Sequence, residues 1–371
     1  MSEKHTLFAI THSLYSGRAR SYLIKNQIPF QELSTGHESF KNDILPLAKL
    51  PTIPTLKTPD GTVIRDGAAI IEYFEQATGH PCQPSTARQK VVSSLFDLVG
   101  TDGLLRPAMH YRWNFPDQNL SFLRHHFYYS QRDVPARPEK TERMMDKMRF
   151  VAGLWGVRDE TKDLVESLYL ELLAALDTHF SAHPYLLGGK PCIGDFGLIA
   201  PLYAHLGRDP YPARIMQEKA VRVYRWVERM NRGDADTPEF FEPSEDYLPN
   251  DEIPATLIET LRILSADLLP ETRAAAETID QWLRETPPAP GAPAERFLGK
   301  AHFSVRGQPI ESVAQPYRFF QLQRAQDTFD SLTEPERTSV RSLLTDAGLA
   351  DLLTIRLSRR LAQRENLEVW L

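Results

Sequence analysis

The chain has 371 residues, 42% of them hydrophobic and 25% charged, which is length enough for two or three domains with a core that needs no covalent staples. A net charge of -6 and a pI near 6.0 argue against a general nucleic-acid binder, which carries a basic excess. The two cysteines, Cys82 and Cys192, form neither a CxxC pair nor a metal-ligand cluster, so no metal and no disulfide framework is expected, and a reducing cytoplasm fits.

In chain order, residues 5–11 are a short apolar run that reads as a buried strand. A helix follows, with Ala19, Tyr22, Leu23 and Ile24 on its buried face, Asn26 at its end and Pro29 barring its return. Residues 30–33 suit a second strand, and residues 40–50 a short helical or irregular stretch broken by Pro46. Residues 55–65 read as a hairpin around Pro59-Asp60-Gly61. Asp66 is then a helix N-cap, and Gly79 the stop of that helix. The order β-α-β-α-β-β-α describes a small α/β domain of the thioredoxin-like type.

After Pro84 the character changes. Residues 86–233 are periodic and helical. Residues 234–254 are acidic, with four prolines, and read as a linker or wrapping segment. Another helix spans residues 253–285, and the run TPPAPGAPA at 286–294 is a stiff linker. Residues 315–371 read as mostly helical after a strand-like piece at 302–305, with Arg356, Arg359, Arg360 and Arg364 on a terminal helix. The start of the chain lacks the apolar segment of a secretory signal, and no apolar run approaches the ~20 residues of a membrane helix. A cytoplasmic protein without a membrane span is expected.

Three features of the first domain carry chemistry. Ser13, Tyr15 and Ser16 stand at the junction of the first strand and helix, where free N–H groups and the helix dipole favour an anion such as a thiolate. Ile53-Pro54 opens a strand-like run, and a cis bond there turns the Ile53 backbone outward to pair with a peptide ligand. Asp66-Gly67 begins a helix directly after a strand, offering N–H groups to a carboxylate.

Together these segments resemble the soluble glutathione transferase superfamily. LFAITHSLYSGRARSYLIKNQIPF is similar to its first β-α unit, with zeta-class spacing; IPTLKTPDGTVIRDGAAIIEYFE to its cis-proline hairpin and third helix; and YLLGGKPCIGDFGLIAPLYAHL to the buried capping motif of its helical domain. The resemblance covers residues 5–235 and implies a thioredoxin-like glutathione-binding domain at 1–83, an all-α domain at 86–234 and a mostly helical extension at 235–371. It implies a serine-type transferase and a homodimer. Ser13 is the thiolate donor, with Tyr15 and Ser16 as alternatives, and Ile53 beside a cis Pro54 meets the cysteinyl backbone. Asp66 and Gly67 receive the γ-glutamyl end, and Lys49 or Lys41 the glycyl carboxylate. The electrophile, a small aromatic or apolar molecule, is expected against His110, Tyr111, Arg112 and Trp113, with Arg112 or Arg124 available to an anionic group. A glutathione-dependent isomerase and a non-catalytic binding or scaffold protein are the alternatives. Two positions depart from the family: Gly67 replaces a hydroxyl residue, and Cys192 replaces the Ser/Thr cap three residues before Asp195, which is expected to be structural. His125 and His126 are adjacent helical positions and do not make a metal site.

Overall fold

The computed structural model describes residues 4–371. Strand β1 (His5–Phe8), helix α1 (Leu14–Lys25) and strand β2 (Phe30–Leu33) form a β-α-β unit with parallel strands. A π-helical turn (Phe40–Ile44) runs into α2 (Leu45–Ala48). The antiparallel pair β3 (Thr55–Lys57) and β4 (Val63–Arg65) then leads to α3 (Gly67–Thr78), and the sheet order is β2-β1-β3-β4. This is a thioredoxin-like domain, and its local signals explain its breaks. The Asp66 carboxylate accepts the Ala68 N–H at 2.7 Å at the start of α3. Gly79 closes that helix at φ +80°, a conformation glycine adopts without steric cost. The Ile53–Pro54 peptide is cis.

A helical body follows. Helix α4 (Ala87–Leu98) continues as a π turn through Gly103 into α5 (Leu105–Trp113), α6 (Pro116–Tyr129) and α7 (Arg137–Leu154). Then come α8 (Lys162–His179), α9 (Ile193–Ala204), α10 (Pro210–Lys219) and α11 (Val221–Met230). Helix α9 lies at the centre, against both α1 and α4. Gly197 meets the α4 end backbone to backbone, and a Cβ on Gly100 or Gly197 would overlap the opposing chain. At the head of α9, Asp195 accepts N–H groups from Cys192 (2.9 Å), Leu186 (3.2 Å) and the Trp226 indole (3.0 Å). It is a structural carboxylate, and burial pushes its pKa up to about 6.

The remaining chain packs on this body. The 31-residue α12 (Ala255–Glu285) lies against α8. The hairpin β5 (Lys300–Val305) and β6 (Gln308–Val313) packs on α12, and α13 (Pro316–Asp330) packs on α4. After α14 (Glu334–Asp346) the chain ends in a second hairpin, β7 (Leu361–Arg364) and β8 (Leu367–Trp370). The expected terminal helix is therefore not formed. Glu365 and Asn366 turn the chain at φ 46° and 68°, the positive-φ pair of a two-residue hairpin loop. Arg356 and Arg360 pair with Asp330 and Asp327 on α13.

This hairpin reaches back to the first domain. Asn366 accepts the Arg65 N–H at 2.9 Å and donates to the Val63 carbonyl at 3.0 Å, covering the free edge of β4. One apolar core runs from Leu7 and Leu56 through Phe196 and Trp226 to Leu257, Phe319 and Trp370. Among the described residues, no helix is long and apolar enough to cross a membrane.

Candidate functional site

A cavity of 780 Å³ opens where the β1–α1 loop faces α5 and α7. That is well within the ~300–1,000 Å³ of ordinary small-molecule sites. Its walls follow helical periodicity. Leu105, Met109, Arg112 and Trp113 are one stripe of α5, at positions i, i+4, i+7 and i+8. Lys140, Met144, Met148 and Val151 are the facing stripe of α7, and Trp155 follows just beyond its end. That second stripe is a 4-4-3 spacing in the sequence.

Ser13 stands on the cavity wall at the N-cap of α1, in extended conformation (φ -88°, ψ 123°). Its hydroxyl makes no capping hydrogen bond. Tyr15, the second residue of α1, also lines the cavity, and burial, helped by the Asp102 charge, pushes its phenol above the ordinary range, so it stays protonated. Ser16 faces the other way: it is fully buried, its Oγ has no partner among the described residues, and it does not line the cavity. His12 also reaches the cavity, a contact the sequence does not signal. Burial first, and then the neighbouring Arg112 charge, lower its pKa to about 2, so the imidazole is neutral.

The four expected pocket residues of α5 divide by face. Arg112 and Trp113 line the cavity. His110 and Tyr111 point away, because adjacent helical positions lie about 100° apart. His110 meets Glu166 (3.0 Å) and Asn114 (2.8 Å), and Tyr111 packs among Phe115, Tyr169 and Tyr211. Arg112 has no donor left for a ligand. Its guanidinium binds Asp209 through two contacts (2.6 and 2.9 Å), the carbonyls of His12 and Ala204 (both 2.8 Å), and the His205 ring (2.7 Å). All five N–H groups are engaged. Arg124 is exposed and paired with Glu142.

Ile53 borders this cavity and also a second chamber of 200 Å³. Among the described residues, its backbone N–H and C=O make no hydrogen bond. Pro54 and Asp66 line the second chamber, and Arg65 and Thr52 border it. The opposite wall comes from residues 294–297, 315–317 and Glu368, which no sequence signal marked. These distant residues hold the polar groups of the first domain. Arg65 makes a two-point ion pair with Glu368 (2.7 and 2.8 Å), and Tyr317 donates to Asp66 at 2.7 Å. Lys49 pairs with Glu365, so it faces the hairpin rather than the chamber. Lys41 is exposed and lines neither space. Gly67 brings no side chain, and a Cβ there would stand 3.3 Å from the Arg18 side chain.

Residues 12–77 match the family described as Glutathione S-transferase, N-terminal domain. No curated protein matches the chain. Among solved structures, a glutathione S-transferase from Rhodospirillum rubrum is 13% identical, over 68% of this chain and 97% of that one, with a TM-score of 0.40. Gtt2 from Saccharomyces cerevisiae is 18% identical over 63% and 100%, at 0.36. The beta-etherase LigF from Sphingobium is 16% identical over 64% and 98%, at 0.43. These likenesses concern the fold.

Proposed function

We propose that the chain is a glutathione-dependent transferase in which Ser13 donates a hydrogen bond to the glutathione sulfur and an apolar or aromatic electrophile occupies the 780 Å³ cavity. The observation that carries this reading is the Ser13 hydroxyl, unused as a cap at the head of a 12-residue helix and facing a mostly apolar space. A free thiol has a pKa of ~8.5 and is a few per cent thiolate at neutral pH. A donor to sulfur and the positive helix end both favour the anion. The thiol proton leaves to solvent, and the thiolate forms the S–C bond, displacing a leaving group or adding to an activated carbon. Tyr15 is a second protonated donor, and the open Ile53 backbone suits strand-like pairing with a peptide. Met109, Trp113, Met148 and Val151 suit an apolar co-substrate. The family match over residues 12–77 supports glutathione as the thiol. In this reading residues 1–83 hold the peptide, 86–234 the electrophile, and 235–371 close the site. A cytoplasmic homodimer and the isomerase variant of the same thiolate chemistry belong to it.

One observation favours a second reading, a non-catalytic binding protein: Lys49, Arg65 and Asp66 are all engaged by the extension, and Gly67 lacks a hydroxyl. The test is retention on immobilised glutathione together with conjugation to an activated chlorobenzene. Ser13→Ala is expected to lower kcat/KM about 10- to 100-fold, the worth of one hydrogen bond to a charged group, and to raise the apparent thiol pKa toward ~8.5. Retention without turnover in the wild type favours the second reading. Failure of retention, with no loss on Ser13→Ala, ends the first.

A further inference from the structure

The 200 Å³ chamber is assembled from two distant stretches of chain: Tyr15, Ile53 and Asp66 on one side, the extension on the other. Its volume falls below the ~300 Å³ of an ordinary small-molecule site. It shares Tyr15, Ile53 and Trp155 with the large cavity, so it suits one end of a ligand whose remainder extends past Ser13.

The charges around this chamber are unevenly committed. Arg65 is neutralised by Glu368, and Glu295, which also lines the chamber, accepts the Trp370 indole N–H at 3.2 Å. Asp66 takes the Tyr317 hydroxyl and the Ala68 N–H, both at 2.7 Å, and a carboxylate has further lone pairs to offer. Arg296 lines the chamber, is exposed, and among the described residues makes no hydrogen bond or ion pair. It shares the chamber wall with Tyr15, whose phenol its charge pulls down against the effect of burial. Arg65 and Glu368 cancel each other and Glu295 faces the Trp370 indole, so the chamber's one cation without a partner among the described residues is Arg296, from the extension, across from Asp66 of the first domain.

We propose that Arg296 binds the α-carboxylate of a γ-glutamyl group whose ammonium lies at Asp66. The inference rests on the glutathione reading and adds that the extension supplies the ligand's anion partner. A planar guanidinium matches a carboxylate with two parallel hydrogen bonds, and it replaces what the first domain lacks at Gly67 and has committed at Arg65.

The test is calorimetric titration of the full chain with glutathione and with cysteinylglycine, which lacks the γ-glutamyl group. Arg296→Ala is expected to weaken glutathione binding about tenfold or more and to leave cysteinylglycine within twofold; Arg296→Lys recovers part of the loss. Unchanged glutathione binding in Arg296→Ala overturns the inference while the glutathione reading stands. Equal weakening of both peptides also overturns it, because the guanidinium then meets a group they share. A wild-type chain that binds neither peptide overturns this inference and the glutathione reading together.

Discussion

Replacing Arg112 by methionine removes one of the most heavily engaged side chains in the molecule. Arg112 ties the β1–α1 loop at His12 to the end of α9 at Ala204 and His205 and to Asp209 at the head of α10. Asp209 is fully buried. In Arg112→Met its carboxylate loses its partner, and the carbonyls of His12 and Ala204 lose a donor. Breaking a buried pair from one side costs about 3–5 kcal/mol, a large share of the ~5–15 kcal/mol that holds a protein folded. The pH dependence has a definite sign. Burial already holds the Asp209 carboxyl above its ordinary range, and Arg112 opposes that rise. Without Arg112 the folded-state pKa moves higher still. Between the unfolded value, ~3.9, and the raised folded value, the folded state binds the extra proton, so its stability falls as pH rises. The deficit of the variant is therefore full above the folded pKa and shrinks as pH falls toward 4. Urea midpoints for wild type and variant at pH 8 and pH 5 measure it, and adding Asp209→Leu should recover part of the loss. A deficit below about 1 kcal/mol, or one equal at both pH values, would refute the claim that Arg112 is a structural tie.

Asp195→Ala leaves the Leu186, Cys192 and Trp226 N–H groups without an acceptor. At about 1 kcal/mol or more each, a loss of at least 3 kcal/mol is expected in urea unfolding, and a loss under 1 would remove Asp195 from its capping role. Trp370 is fully buried, stacks on Trp282 and donates to Glu295 at 3.2 Å. Trp370→Ala should cost about 3–5 kcal/mol and speed hydrogen exchange at the Arg65 amide, whose acceptor is Asn366 on the same hairpin; unchanged exchange would show that the hairpin stays seated without its anchor.

The order of strands and helices in the first domain is legible because its signals are local. Pro29 prevents helix, Asp66 caps the helix that follows it, and Gly79 ends that helix in a left-handed turn. The inward stripes of α5 and α7 are also implicit in the sequence, since 3.6-residue periodicity decides which positions share a face. Applied strictly, it separates Arg112 and Trp113 from His110 and Tyr111. What periodicity cannot supply is a partner. The five acceptors around Arg112 lie on elements up to 100 residues away, so a residue with the composition of an anion binder is in fact fully spent.

The extension shows the same division. Arg356, Arg359, Arg360 and Arg364 have a spacing compatible with a helix, yet residues 361–370 form a hairpin because Trp370, Val369 and Leu361 bury their side chains and the backbone of residues 291–294 bonds to β8. Hydrogen bonds between β8 and a segment 74 to 79 residues earlier are a tertiary fact, and local propensity is weak enough to yield to them. The sequence alone determined a thioredoxin-like unit, its helix starts and stops, and Ser13 at the head of α1. Only the packed chain decided that Lys49, Arg65 and Asp66 are held by the extension while Arg296 has no partner among the described residues, because side chains find their charge partners across space and the sequence records no distances.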